Sequence, residues 1–150
     1  MEERFFHLRS RAVHHEESND LVQLDLEFEI DGEWQAVALA AEMPPFRAFV
    51  CAALMCQHAY LRMNASELDL ALREARGEFW MKTADWFVTE VTARFELFIE
   101  GEYPSTDDLA FISERMRDCP ISRNLTGAVK ATTLQVIETE SYERASASSP

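Results

Sequence analysis

Basic residues are scarce in this chain, and the shortage limits what the protein can bind. Lysine and arginine together number 14, against 27 aspartates and glutamates, so the formal net charge is −13 at pH 7. A surface of that sign repels the phosphates of nucleic acids and the headgroups of anionic membranes. We therefore expect no nucleic-acid partner and no membrane association.

Long apolar runs and cysteines are also scarce. The longest apolar run covers residues 48–56, well short of the roughly 20 residues that a membrane-spanning helix needs. The N-terminal residues Met1-Glu2-Glu3-Arg4 are acidic and lack an apolar signal core, so we expect no export signal. Three cysteines are too few, and odd in number, for a disulfide framework. We expect a cytoplasmic protein with free thiols.

The length and composition predict one folded domain. A chain of 150 residues is long enough to bury a core, and its hydrophobic share of 47% excludes a disordered chain. We expect a single domain over residues 1–138. Residues 139–150 have no hydrophobic periodicity, and we expect them to form a flexible tail.

Alternating apolar and polar residues predict strands in the N-terminal third. A first strand is expected over residues 5–13, and Leu21–Ile30 alternates cleanly between apolar and polar positions. Asp31-Gly32 is a hairpin turn signal, so residues 33–39 should return as the partner strand. This part of the chain is expected to be a small antiparallel meander.

The stretch that follows predicts a central helix. Pro44 and Pro45 lie where a helix can begin, because proline is tolerated in the first turn. Residues 48–56 offer no polar face, so a helix here would be buried on every side. Cys51 and Cys56 both lie on this helix.

Strands dominate the next segment. Residues 68–73 alternate like a strand, although propensity would also allow a helix over 65–75. Residues 77–85 are interpreted as a turn or a connection between strands. Phe87–Glu100 alternates over its whole length and is the clearest strand of the chain.

A second helix and a last strand complete the pattern. Ser105 and Asp108 have the spacing of a capping box, and Pro120 is expected to end that helix just after Cys119. The last strand is expected over residues 128–137. Strands, a buried helix, strands, a helix and a strand in this order predict an α+β fold.

We expect the chemistry of this chain at its cysteines. Cys51 and Cys56 are about 140° apart around a helix and cannot pair with each other. Burial would raise the pKa of Cys56 and leave it inert unless the fold brings a cation close. Arg9, Arg11 and Arg47 are the candidates for that cation.

Cys119 is suited to a different chemical role from that of Cys56. It follows the end of its predicted helix, where the helix dipole disfavours a thiolate, so it would be attacked or would resolve an intermediate. A lone cysteine on an apolar helix is more often a core residue than a nucleophile, and Cys51 is assigned to the core. The four histidines have no metal-ligand spacing, and no phosphate-binding loop or nucleophile elbow is present.

Two motifs resemble those of the OsmC/Ohr family, the osmotically inducible protein C-like and organic hydroperoxide resistance proteins. Residues 45–56 resemble the central-helix motif, in which a proline and an alanine-rich apolar run precede the reactive cysteine. Residues 119–127 resemble the second motif of Cys-Pro, a small apolar or aromatic residue, a serine and then a glycine before the final strand. The likeness covers residues 5–137.

The resemblance implies both a fold and an activity. The fold would be OsmC-like, with antiparallel sheets wrapped around a buried central helix in an intertwined homodimer. The activity would be thiol-dependent reduction of organic hydroperoxides, which is an oxidative-stress function. Cys56 would match the peroxidatic thiol, Cys119 the resolving thiol, and Arg9 or Arg11 the activating arginine. No cofactor would be bound, and a protein that carries an external dithiol, such as a lipoyl group, would reduce the Cys56–Cys119 disulfide.

The chain departs from the family pattern at the start of the central helix. Phe46 and Arg47 follow the proline where the family has an acidic residue. That departure favours one alternative, a non-catalytic OsmC-fold dimer that binds a hydrophobic ligand. A further alternative is a redox sensor whose disulfide reports oxidant without turnover. Steady consumption of peroxide with a dithiol would distinguish an enzyme from both.

Overall fold

A computed structural model describes residues 1–125 and 127–137 of the chain. Within this part, six strands and three helices follow one another along the sequence. They are β1 (Glu3–His14), β2 (Leu21–Ile30), β3 (Glu33–Ala36), α1 (Pro45–Glu67), β4 (Ala71–Ala84), β5 (Phe87–Glu100), α2 (Thr106–Met116), α3 (Pro120–Arg123) and β6 (Val129–Ile137). The predicted α+β class is confirmed.

One six-stranded sheet contains all of these strands, in the order β3-β2-β1-β4-β5-β6. Neighbouring strands are antiparallel except β5 and β6, which are parallel. The N-terminal meander is as predicted, although β3 ends at Ala36, three residues earlier than expected. No helix of the described residues is long and apolar enough to cross a membrane.

The main correction among the strands concerns β4. The predicted turn at residues 77–85 is wrong, because β4 runs unbroken from Ala71 to Ala84 and pairs with β1 on one side and β5 on the other. The strand predicted at residues 68–73 begins only at Ala71, since α1 continues to Glu67. Asp85 and Trp86, both with positive φ, form the hairpin turn instead.

The second helix begins as predicted and ends differently. Ser105 and Asp108 form both hydrogen bonds of a capping box at the start of α2. The prediction that Pro120 ends this helix is wrong, because α2 ends at Met116 and Pro120 begins the short helix α3. The last strand is confirmed, whereas the predicted tail at 139–150 lies outside the described residues.

The two faces of the sheet have different chemistry. Successive side chains of a strand point to opposite faces, and in β1 Leu8, Ser10 and Ala12 are buried on the face that α1 covers. We call this the inner face, and the opposite one the outer face. On the outer face opposite charges lie side by side across four strands, with Arg9 between Glu27 and Glu78, and Glu78 beside Arg94.

Helix α1 is buried along one side only. Its buried side chains lie on the arc that faces the sheet and α2, among them Val50, Leu54 and Leu61. The opposite arc is half-buried or exposed and almost wholly apolar, and we call it the open strip: Ala48, Phe49, Ala52, Met55, Cys56, Ala59 and Met63. The prediction of a helix buried on every side is therefore wrong for a single chain.

A glycine allows α1 to approach the sheet closely. Beside Gly77, the Oγ of Ser10 lies 2.6 Å from Nε2 of His58, which is a residue of α1. The His58 ring also packs edge-on against Phe95, with 5.0 Å between the ring centroids. Burial, with a smaller contribution from His14, lowers the pKa of His58 to about 3, so this imidazole is neutral in the folded protein.

We expect Gly77→Ala to destabilise the fold. A Cβ at this position would lie 2.6 Å from the Ser10 Oγ and 2.8 Å from Cε1 of Phe95. Such overpacking should lower the free energy of unfolding by about 1–3 kcal/mol, measured by urea denaturation.

Gly127→Ala is the matched control, because its added Cβ would have no atom within 4 Å beyond the adjacent residues of the chain. This change should stay within about 0.5 kcal/mol of the parent protein. Equal unfolding free energies for the two variants would show that the contact at Gly77 is not tight.

Candidate active site

The fold brings Cys56 and Cys119 together. Cys56 lies on the open strip of α1, and Cys119 is the N-cap of α3, which packs against α1. The Cys119 thiol lies close enough to the Cys56 thiol to raise its pKa. Cys56 is half-buried and Cys119 is fully buried, so reagents from solvent reach the pair through Cys56.

Cys56 is a protonated thiol in the single chain. Burial is the largest cause that raises its pKa, and the hydrogen bond with Cys119 and the charge of that neighbouring thiol raise it further. The backbone N–H of Ile121 donates to the Cys56 sulfur and lowers the pKa, but by less. A thiol in this state is a slow nucleophile at neutral pH, because the thiolate is the reactive form.

Cys119 is held by the residue three positions after it. The backbone N–H of Ser122 donates to the Cys119 sulfur at 3.3 Å, and the Cys119 thiol donates to the Ser122 Oγ at 3.0 Å. Cys119 follows the C-terminal end of α2 as expected, but its sulfur also caps the beginning of α3, which was not expected. A cysteine followed directly by proline is a sequence signal for this arrangement.

Arg9 and Arg11 do not approach Cys56 within one chain. Both alternate with the inner-face residues of β1, so their side chains lie on the outer face and the sheet separates them from α1. Arg9 pairs with Glu27, and the Nε of Arg11 lies 2.7 Å from Oε1 of Glu74. Their assignment as activating residues finds no support in the single chain.

Arg47, the third candidate cation, is also engaged elsewhere. Its guanidinium carbon lies 5.8 Å from the centroid of the Phe28 ring. Among the described residues, the groups that perturb the pKa of Cys56 are therefore Cys119 and the N–H of Ile121, not an arginine.

An aromatic cluster occupies the start of α1, where the OsmC/Ohr pattern has an acidic residue. The Phe46 ring lies 5.2 Å from Phe6, 5.5 Å from Phe49 and 5.1 Å from Trp86, measured between centroids. Phe49 precedes Cys56 by two helical turns, so it lies on the same side of α1. The surface that leads to the Cys56 sulfur is therefore apolar. Trp86 lies just after residues 77–85, which are interpreted from the sequence as a turn or a connection, and its place in this cluster was not predicted.

Two other features are separate from the thiol pair. Cys51 is fully buried, and burial raises its pKa to about 11, in agreement with a place in the core. A groove of about 800 Å³ lies on the outer face, lined by Arg9, Arg11, Arg76 and Arg94 together with acidic side chains. Each of these arginines is paired with a carboxylate. Among the described residues, no group of histidine, cysteine or acidic side chains could hold a metal ion.

The fold of this chain is similar to that of several solved structures. The chain is similar to an OsmC-like hydroperoxide resistance protein from Jannaschia sp. CCS1, with a TM-score of 0.52 and 20% identity over 84% of this chain and 88% of that one. It is also similar to an OsmC-like protein from Mycoplasma pneumoniae, with a TM-score of 0.51 and 13% identity over 87% and 96% of the two chains. The chain therefore has the OsmC-like fold that its two motifs predict. Comparisons with family models and with curated proteins gave no match.

We expect alkylation of Cys56 to require alkaline pH. Because its pKa is raised, the rate of iodoacetamide labelling should keep rising beyond the ordinary thiol range near pH 8.5. Peptide mapping after a timed quench would give the rate at each cysteine, and fully buried Cys51 should remain unlabelled while the protein is folded. A rate at Cys56 that levels off below pH 7 would reveal a cation close to the sulfur.

Proposed function

We propose that this protein is a thiol peroxidase that reduces organic hydroperoxides through Cys56 and Cys119. The observation that carries the proposal is the proximity of these two thiols, one on α1 and one at the start of α3, which packs against α1. Within an OsmC-like fold, such a pair supports reversible oxidation to a disulfide. The Cys56 side of the pair meets solvent, which suits the thiol that is oxidised first.

The chemistry takes two steps. The Cys56 thiolate attacks the outer oxygen of the hydroperoxide, the O–O bond breaks, and the alkoxide leaves as an alcohol once it gains a proton. Cys56 is then a sulfenic acid. The Cys119 sulfur attacks the Cys56 sulfur, the S–O bond breaks, and hydroxide leaves as water with the proton of the Cys119 thiol.

A reductant must then open the disulfide. Cys119 is fully buried and Cys56 is half-buried, so an incoming thiol would attack the Cys56 sulfur and release Cys119. An external dithiol of the lipoyl type, presented by another protein, closes the cycle by forming its own disulfide. Three free cysteines in one chain fit a reducing compartment, and we propose a cytoplasmic location.

The aromatic cluster supports an organic hydroperoxide as the substrate. Phe49 of this cluster lies on the open strip two helical turns before Cys56, and no charged residue of the strip lies between them. A hydroperoxide with an apolar or aromatic body would bury that body against these rings. Cumene hydroperoxide is a suitable test compound.

We also propose a homodimer, because the open strip leaves an apolar helix face half-exposed. The strip includes Phe49, Met55 and Met63, of which Met63 is 52% exposed. A second copy packed on this strip would bury these side chains and restrict water around Cys56. Both thiol pairs of the assembly would then lie next to the contact between copies.

A redox sensor is the second candidate function, and the raised pKa of Cys56 favours it. A protonated thiol reacts slowly with peroxide, so the disulfide could form as a signal without rapid turnover. Turnover with a dithiol separates the two functions. Repeated peroxide consumption supports the enzyme, and a single oxidation per chain supports the sensor.

We expect one equivalent of cumene hydroperoxide to oxidise Cys56 and Cys119 to a disulfide. Intact mass should fall by the mass of two hydrogens, and peptide mapping should locate the bridge. Cys56→Ser should abolish peroxide consumption with dihydrolipoamide, whereas Cys119→Ser should allow one oxidation and then overoxidation of Cys56.

Cys51→Ala is the control for this experiment, because Cys51 lies in the core and should not take part. Its turnover should match that of the parent protein. Equal peroxide consumption by the parent and by Cys56→Ser would refute the proposed function.

We expect sedimentation equilibrium to give twice the mass of one chain. Ala52→Arg places a charge in the middle of the open strip, which is costly to bury, and should shift the protein towards the monomer. Ala110→Arg is the matched control, because Ala110 is an exposed residue of α2. A monomeric parent protein, or equal dissociation of both variants, would contradict the proposed dimer.

A further inference from the structure

The turn from Cys119 to Ser122 contacts both sulfurs of the thiol pair. The backbone N–H of Ile121 donates to the sulfur of Cys56, and the next backbone N–H, that of Ser122, donates to the sulfur of Cys119. Pro120 begins this turn and has no N–H of its own. Consecutive residues of one short segment therefore act on the two sulfurs.

Ser122 makes a second contact with Cys119 through its side chain. The Cys119 thiol donates to the Ser122 Oγ at 3.0 Å, and both residues are buried, with Ser122 5% exposed and Cys119 0% exposed. This is the one hydrogen bond of the Ser122 hydroxyl among the described residues. The Ser122 hydroxyl therefore lies where it can influence a reaction of the Cys119 sulfur.

We propose that Ser122 is the positioning residue for the resolving step, and that its hydroxyl holds the Cys119 sulfur in line with Cys56. This inference rests on the proposed function in one respect, that Cys119 is the resolving thiol. As Cys119 attacks the Cys56 sulfenic acid, its thiol proton goes to the departing hydroxide, which leaves as water. The Ser122 hydroxyl can then rotate and donate to the developing thiolate, because a serine hydroxyl both donates and accepts.

Diamide tests the resolving step without a peroxide. The Cys56 thiol adds across the N=N bond of diamide, which gives a sulfur–nitrogen adduct that carries the thiol proton on the second nitrogen. Cys119 then attacks the Cys56 sulfur, the S–N bond breaks, and the hydrazine leaves with the proton of Cys119. The rate of the first step depends on the diamide concentration, whereas the rate of the second does not. Samples that are quenched with acid at successive times and analysed by intact mass therefore give the two rates separately.

We expect Ser122→Ala to slow only the second step. The adduct on Cys56 should persist about threefold to tenfold longer than in the parent protein, which is the usual effect of one lost hydrogen bond. The rate of adduct formation should not change, because the backbone N–H of Ile121 is retained. Ser122→Thr keeps the hydroxyl and should restore most of the rate. All variants carry Cys51→Ala, so that one thiol pair is observed.

Ser113→Ala is the matched control. The Ser113 Oγ donates to the carbonyl of Thr132 at 3.0 Å, so this change also removes one hydroxyl hydrogen bond but touches neither sulfur. Urea denaturation checks that each variant is folded. Equal adduct lifetimes in Ser122→Ala and the parent protein would overturn the inference, as would equal slowing by Ser113→Ala.

The two proposals fail in different ways. The proposed function would be refuted if the protein did not consume cumene hydroperoxide. If disulfide formation with diamide still depended on Ser122 in that case, the role of Ser122 as a positioning residue would be supported. Failure of the folded parent protein to form a Cys56–Cys119 disulfide with diamide would overturn the inference, because Cys119 would not then resolve anything.

Discussion

The apolar helix α1 must be covered, and the sheet and α2 cover only half of it. The core forms where the buried arc of α1 meets the inner face of the sheet, at side chains such as Leu54, Phe79 and Phe95. The remaining arc carries Cys56. Cys56 therefore lies on the part of the helix that the chain itself leaves open, and its surroundings depend on what packs there.

Side chains alternate along β1, so Arg9 and Arg11 lie on the face of the sheet opposite to α1 and Cys56. Ser10 faces α1 and binds His58, whereas Arg9 and Arg11 face outward among carboxylates. An activating arginine cannot reach Cys56 through the sheet of its own chain. In its place, the backbone N–H of Ile121 is the donor that favours the thiolate, and a single N–H does not offset the effect of burial.

Much of the fold follows from the sequence, and the errors have physical causes. Strands β2 and β5 each have one apolar and one polar side, so their alternation marks them clearly. In β4 the bulky residues Phe79, Trp80 and Met81 are adjacent, which hides the alternation and favours a turn. Pro120 is ambiguous because proline both ends and begins helices.

The site was less predictable than the fold. The motifs indicated that Cys56 and Cys119 belong together, and the structure places them in contact. The outward position of Arg9 and Arg11 could have been found, since they alternate with Leu8, Ser10 and Ala12. The contact of Ser122 with sulfur could not, because it depends on how α3 packs against α1 and on no periodic pattern.

The order in which the strands pair also bears on how the protein folds. Strand β1 pairs with β2 through a short turn, but its other neighbour, β4, follows only after the whole of α1, so that Glu3 lies beside Ala84. Strand β6 is parallel to β5 and needs α2 and α3 as the crossover. Pairings between distant segments close long loops and slow the search for the native state. The approach of Cys56 to Cys119 likewise joins distant segments, because β4, β5 and α2 lie between α1 and α3 in the chain.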